Sequence, residues 1–167
     1  MNNYKIVFMG TPDFGIPSLN ELYKQGYEVE AVYTQPDRVN KRGNKVQFSA
    51  VKQFALEHDI TIYQPNSLKD EKELDVLRAL NPDLIIVIAY GKILPQAVLD
   101  IPKYGVINVH ASLLPKYRGA APVQRSIIDG EETTGVTIMQ LDAGMDTGNI
   151  IAEKSVSITP HMTSEDL

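Results

Sequence analysis

The chain has 167 residues, 43% of them apolar and 22% charged, with 16 basic and 21 acidic side chains and a net charge of −5. That length supports one ordinary domain with a real core, and the composition is that of a globular protein. There are no cysteines, so disulfides and thiolate chemistry are excluded, which fits a reducing compartment. The acidic balance argues against general nucleic-acid affinity, which needs clustered cations.

Tyr4 to Met9 reads as a buried strand that breaks at Gly10-Thr11-Pro12-Asp13. Its apolar run is too short for a signal peptide, and no segment approaches the roughly 20 apolar residues of a membrane span. A cytoplasmic protein is expected. Asp13 to Lys24 reads as a helix, with Phe14, Leu19, Leu22 and Tyr23 near one face. Glu28 to Thr34 is a second strand. Residues 38–45 then hold Arg38, Lys41, Arg42 and Lys45 and no acid. As a charge run this is a solvated loop tip, and its length suggests a functional excursion.

Ser49 can cap a helix through about His58, with Val51, Phe54 and Ala55 facing inward. Thr61 to Tyr63 is a short strand. Asp70 to Leu80 is a helix striped by Leu74, Leu77 and Leu80, and Asn81-Pro82-Asp83 stops it. Leu84 to Ala89 is continuously apolar, as a strand buried on both faces requires. Gly105 to Val109 is the next strand, Gln124 to Asp129 lies in a helix ended by Gly130, and Thr134 to Gln140 and Ile150 to Ile158 are later strands. This order predicts an α/β fold: a doubly wound, mainly parallel sheet with helices on both faces. Ligands of such sheets bind beyond the carboxyl ends of the strands, where loops 90–95 and 108–120 lie. Thr163-Ser164-Glu165-Asp166 resembles a capping box at a helix start, one residue before the chain stops. The domain is therefore expected to be incomplete at its C-terminus.

Asn108 and His110 are two apart on a strand, so both side chains share a face. An amide donor beside an imidazole suits a carbonyl under attack: Asn can hydrogen-bond a developing oxyanion, and His can hold or move a proton. The same pair can also merely satisfy backbone groups at a strand end. Residues 142–149 form a glycine-rich loop with Asp142 and Asp146. Either carboxylate could orient His110 or accept a proton, and both also suit plain turns. The histidines are only His58, His110 and His161, with no zinc-like spacing, and no metal is expected. There is no phosphate-binding Walker loop, no dinucleotide glycine fingerprint after the first strand, and no nucleophile elbow.

Several strings together resemble the formyltransferase family over essentially the whole chain. They are Asn108-Val109-His110-Ala111-Ser112-Leu113-Leu114-Pro115, Tyr117-Arg118-Gly119-Ala120-Ala121-Pro122, Thr134-Gly135-Val136-Thr137-Ile138-Met139-Gln140 and Asp142-Ala143-Gly144-Met145-Asp146-Thr147-Gly148. Met9 to Gly15, Gln35-Pro36-Asp37-Arg38 and Ala89 to Pro95 add to it. The resemblance implies a catalytic site of Asn108, His110 and Asp146, choosing Asp146 over Asp142. It implies a folate loop at Ser112, Leu113, Leu114 and Pro115, and a pterin pocket lined by the 88–95 segment, with Ile88, Tyr90 and Gly91. It implies that the 34–49 loop contacts tRNA through Arg38, Lys41, Arg42 and Lys45, with Arg42 the most telling. The implied donor is 10-formyltetrahydrofolate, and the implied partner is initiator methionyl-tRNA, formylated on its α-amine. A monomer away from membranes is expected. The resemblance also implies a C-terminal tRNA-binding β-barrel domain, which is expected to be absent from these residues. A member acting on glycinamide ribonucleotide would carry a glycine-rich phosphate loop after the first strand, and one acting on a sugar nucleotide would have little use for the basic loop. Outside the enzymes, the alternatives are a folate- or RNA-binding module without turnover and a dinucleotide-binding domain.

Overall fold

The computed structural model describes residues 3–40, 42–144 and 146–167. Two compact units divide the chain after Val106. The fold class is the doubly wound, mainly parallel α/β class that the strand–helix alternation predicts, and the first unit carries its parallel part.

In that unit, strands β1 (Lys5–Gly10), β2 (Glu28–Tyr33), β5 (Thr61–Tyr63) and β6 (Leu84–Ile88) pair in the order β5-β2-β1-β6, every pair parallel. Helix α1 (Ile16–Lys24) links β1 to β2, α2 (Ala50–Glu57) precedes β5, and α3 (Glu71–Leu80) leads to β6. A short α4 (Gln96–Leu99) follows. The chain steps outward from β1 to β2 to β5, then returns to the other side of β1 at β6. Right-handed crossovers therefore send α1 and α2 to one face and α3 to the other. The packing agrees: α1 rests on α2, and α3 on α4. The topological switch lies between β1 and β6, and their carboxyl ends, Gly10 and Ile88, flank it.

Local chemistry explains these elements. The Ser49 hydroxyl accepts the Lys52 amide, closing the α2 N-terminus, and Val51, Phe54 and Ala55 are buried as the helical spacing predicts. The Asp70 carboxylate accepts the Lys72 amide at the start of α3, and Asn81 ends that helix in the left-handed region at φ 48°. Leu77 on α3 is fully buried. Leu77→Ala is expected to lower stability by about 2–5 kcal/mol, the usual cost of emptying a leucine site. A urea midpoint unchanged from the parent would refute that.

Some expectations need correction. Asp13–Gly15 is a 3₁₀ turn, and only from Ile16 is the chain α-helical. Of that helix's supposed stripe, Leu19 is buried, while Phe14 and Tyr23 are exposed. The basic excursion is not plain loop: β3 (Arg38–Val39) and β4 (Val46–Gln47) pair as an antiparallel hairpin, with Val39 and Val46 exposed.

The second unit contains β7 (Val106–His110) from Ile107 onward, α5 (Pro122–Ile128), β8 (Thr133–Gln140) and β9 (Ile150–Ser157). Strand β8 pairs antiparallel with both β7 and β9. At 163–166 the structure has a turn rather than a helix. It carries capping-box bonds: the Thr163 amide and hydroxyl each donate to Asp166 Oδ2 at 2.8 Å, and the Asp166 amide donates back to Thr163 Oγ1 at 3.3 Å.

Candidate functional site

Strand β7 carries Asn108 and His110 on one face, roughly 7 Å apart along the strand. Their antiparallel partners on β8 are Met139 and Thr137. Asn108 is half-buried and His110 is buried, with 8% of its surface exposed. The His110 Nε2 lies 2.7 Å from the Tyr117 carbonyl oxygen. A carbonyl only accepts, so Nε2 carries a hydrogen and donates. Nδ1 on the other side of the ring lies 3.7 Å from Asp146 Oδ2. That is too long for a direct hydrogen bond. It is short enough that both atoms can reach one reacting group about 3 Å from each.

The two candidate aspartates separate in the structure. Asp142 turns back on its own loop, where Oδ1 accepts the Gly144 amide and the Thr147 hydroxyl, each at 2.9 Å. Asp146 instead faces His110, and its Oδ2 accepts the Gly119 amide at 2.8 Å. One carboxylate closes a turn, while the other stands beside the imidazole.

The 112–115 loop is held from below by a residue to which sequence reasoning gave no role. The buried Thr137 hydroxyl donates to the Ser112 carbonyl at 2.6 Å and accepts the Leu114 amide at 3.1 Å. The Ser112 hydroxyl is spent on the Lys116 carbonyl at 2.6 Å. Ser112 and Leu114 are buried, whereas Leu113 and Pro115 face a hollow of about 770 Å³ that Tyr117, Glu131 and Thr134 also line.

In the first unit, Ile88 and Tyr90 are buried, with 1% of each exposed, so at this loop they offer backbone rather than side chains. Burial, with Glu73 nearby, pushes the Tyr90 phenol up to about 12. The loop reverses with Ala89 at φ 51° and Gly91 at φ 83°. The left-handed φ at Gly91 calls for glycine, and a Cβ there, 2.9 Å from Gln35 Nε2, would displace the end of that side chain. The Tyr90 carbonyl accepts the Thr11 hydroxyl at 2.9 Å. Thr11 and Gln35 belong to strings that carried the resemblance, but nothing in their spacing announced that they meet here.

Of the basic set, Arg38, Arg42 and Lys45 are exposed on the hairpin, and Lys41 lies outside the described residues. The root of the hairpin is an ion pair: Lys52 Nζ donates to Asp37 Oδ2 at 2.7 Å. The Lys52 bond, with a second from Gln64, holds the Asp37 carboxyl below its ordinary range. A depressed folded value means stability present above the ordinary carboxyl value and lost as pH falls through the folded one. Asp37→Asn is therefore expected to be less stable than the parent at pH 7, with the gap closing below about pH 4. Urea midpoints measured from pH 7 downward check this, and a gap that does not narrow as the pH falls below the ordinary carboxyl value would refute it.

Among the described residues, no group of three or more His, Asp or Glu side chains is placed to hold a metal, and no helix is long and apolar enough to cross a membrane.

A family model described as Formyl transferase matches residues 4–167. The methionyl-tRNA formyltransferase of Clostridium perfringens (strain SM101 / Type A) is 57% identical over 164 residues, covering 98% of this chain and 53% of its own length. That of Legionella pneumophila (strain Paris) is 50% identical over 167 residues, covering 100% of this chain and 53% of its own. The chain thus spans about half the length of the curated relatives it matches. Among solved structures, phosphoribosylglycinamide formyltransferase from Bacillus halodurans superposes with a TM-score of 0.78 at 25% identity, covering 96% of this chain and 84% of that one. Formyltetrahydrofolate deformylase from Pseudomonas syringae pv. tomato superposes at 0.75 and 20% identity, covering 98% and 54%. The motifs, the doubly wound fold and the match along nearly its whole length agree: this chain belongs to the formyltransferase family.

Proposed function

We propose that residues 1–167 form the catalytic domain of a cytoplasmic enzyme that formylates the α-amine of initiator methionyl-tRNA. The formyl group comes from 10-formyltetrahydrofolate. The observation that carries the chemistry is the His110 ring set between the Tyr117 carbonyl and Asp146, on the strand that also bears Asn108. The 57% identity to a methionyl-tRNA formyltransferase favours the acceptor.

The donor supplies a formyl carbon made electrophilic by its amide linkage. The residues present fit such a group: an amide donor and an imidazole for its oxygen, and a carboxylate for the proton of the attacking amine. Asn108 donates to the carbonyl oxygen as negative charge develops on it. His110 already donates from Nε2 to Tyr117, so it can donate to that oxygen only through a protonated Nδ1, as the imidazolium. Asp146, whose carboxylate stands 3.7 Å from the His110 ring, supports it by charge and takes the amine proton, directly or through water. The new carbon–nitrogen bond forms first, leaving a tetrahedral oxyanion; its collapse breaks the bond from the formyl carbon to folate, and the departing folate nitrogen takes up a proton in place of the one the amine gave up. Ser112, Leu113, Leu114 and Pro115, with the backbone at Ile88, Tyr90 and Gly91, are the proposed folate contacts. Arg38, Lys41, Arg42 and Lys45 are the proposed tRNA contacts, suited to phosphate by charge.

The test offers the chain 10-formyltetrahydrofolate with either charged initiator tRNA or glycinamide ribonucleotide. Formyl transfer to the tRNA alone is expected. Transfer to glycinamide ribonucleotide alone would overturn the acceptor, and release of formate with neither acceptor would point to a deformylase.

A further inference from the structure

The first unit contains a hydrogen-bond network that the proposed chemistry does not use. Its hub is Gln35, just beyond the carboxyl end of β2. The Gln35 side-chain nitrogen donates to the Gly91 carbonyl at 2.9 Å and to the Tyr90 carbonyl at 3.3 Å. Both partners only accept, so it is the amide nitrogen that faces them. The Gln35 backbone carbonyl in turn accepts from Gln64 Nε2 at 3.2 Å. That same nitrogen donates to Asp37 Oδ1 at 2.8 Å, and Gln64 Oε1 accepts from Lys52 Nζ at 3.0 Å. Lys52 closes the circuit on Asp37 and lies 3.9 Å above the Phe48 ring.

The placement of these residues gives the network its meaning. Asp37 immediately precedes the first hairpin strand, Arg38–Val39, and Phe48 immediately follows the second, Val46–Gln47. The network therefore grips both roots of the basic hairpin. Its other end holds the carbonyls of a loop that turns through two left-handed residues, Ala89 and Gly91. The Tyr90 hydroxyl is buried without a hydrogen-bond partner among the described residues, while the Tyr90 carbonyl also accepts the Thr11 hydroxyl at 2.9 Å, a second anchor that leaves the Gly91 carbonyl to Gln35.

We propose that Gln35 is a positioning residue that joins the basic hairpin to the Tyr90–Gly91 loop, so that the segment offered to tRNA and the segment offered to folate keep one geometry. The mechanical link stands on these bonds, and its catalytic meaning rests on the folate and tRNA contacts proposed above. A glutamine is required because its amide supplies two hydrogens to two carbonyls. Glutamate at this position would set a carboxylate against both oxygens, and methionine would fill the space without donating.

The experiment measures amide hydrogen exchange in the parent chain, Gln35→Met and Gln35→Glu, together with affinity for 5-formyltetrahydrofolate. In both variants, exchange is expected to rise at least tenfold across the hairpin, including Asn40, whose amide bonds the Lys45 carbonyl. It is expected to rise equally across residues 89–92, with α3 unchanged. Folate affinity is expected to fall at least tenfold. Unchanged exchange in either segment overturns the link, and so does loosening that spreads equally into α3, which would mark a general stability effect. Folate affinity within threefold of a parent that binds overturns the positioning role. A parent that does not bind the folate counts against the proposed function, and exchange alone then decides the link.

Discussion

Replacing His110 with alanine is expected to lower formyl transfer by about 1,000-fold, the middle of the range for a group that moves or holds a proton in the transition state. The ring is buried and oriented from both sides. Its Nε2 donates to the Tyr117 carbonyl at 2.7 Å, and its Nδ1 faces Asp146 Oδ2 at 3.7 Å. Asp146 is itself tethered by the Gly119 amide at 2.8 Å. Alanine removes the proton-handling group and leaves the Tyr117 carbonyl without its donor, so a loss of folding would complicate the result. His110→Gln separates the two effects, because glutamine can still donate to that carbonyl but cannot exchange a proton near neutral pH. Single-turnover transfer to charged initiator tRNA, beside thermal melts, is the measurement. If His110→Gln stays within tenfold of the parent, the ring is structural and the proton role is wrong.

The second large effect is expected at Asn108. A donor aimed at a developing oxyanion is commonly worth about 3 kcal/mol of barrier, or 100-fold or more in rate. Asn108→Ala is expected to lose at least that. The side chain is half-buried on the His110 face of β7, so its removal costs little folding energy. The loss should fall on kcat rather than KM, because the charge it stabilises appears only in the transition state. Activity within tenfold of the parent would remove Asn108 from the mechanism, and a change confined to KM would make it a ground-state binding contact.

Helix α2 was legible because its signals are local. Ser49 caps it from three residues away, and Val51, Phe54 and Ala55 fall on one face by period alone. Strand β6 was legible because only burial on both faces explains an unbroken Leu84–Ile88. The hairpin was not legible: two-residue strands show no alternation, and their apolar residues, Val39 and Val46, stay exposed. Helix α4 has four residues, too few for a period to declare itself. Phe14 and Tyr23 have the spacing of a buried stripe, yet spacing says which residues share a face and not whether anything covers it.

The candidate site divides along the same line. Period two puts Asn108 and His110 together from the residues alone. Chemistry left Asp142 and Asp146 equal, and the resemblance to a known family chose between them. In the structure, Asp142 closes its own turn and Asp146 faces the imidazole. By itself, then, the sequence determined the kind and order of the longer elements, the family, and the strand that carries the amide and the imidazole. Each of these depends on patterns within a few residues or on strings long enough to be specific. Only the tertiary structure decided that Gln35 meets Gly91, 56 residues away, that Thr11 meets Tyr90, 79 residues away, and that Thr137 supports the Ser112 loop from 25 away. Those meetings follow from the order and register in which strands pair, and no local spacing encodes them.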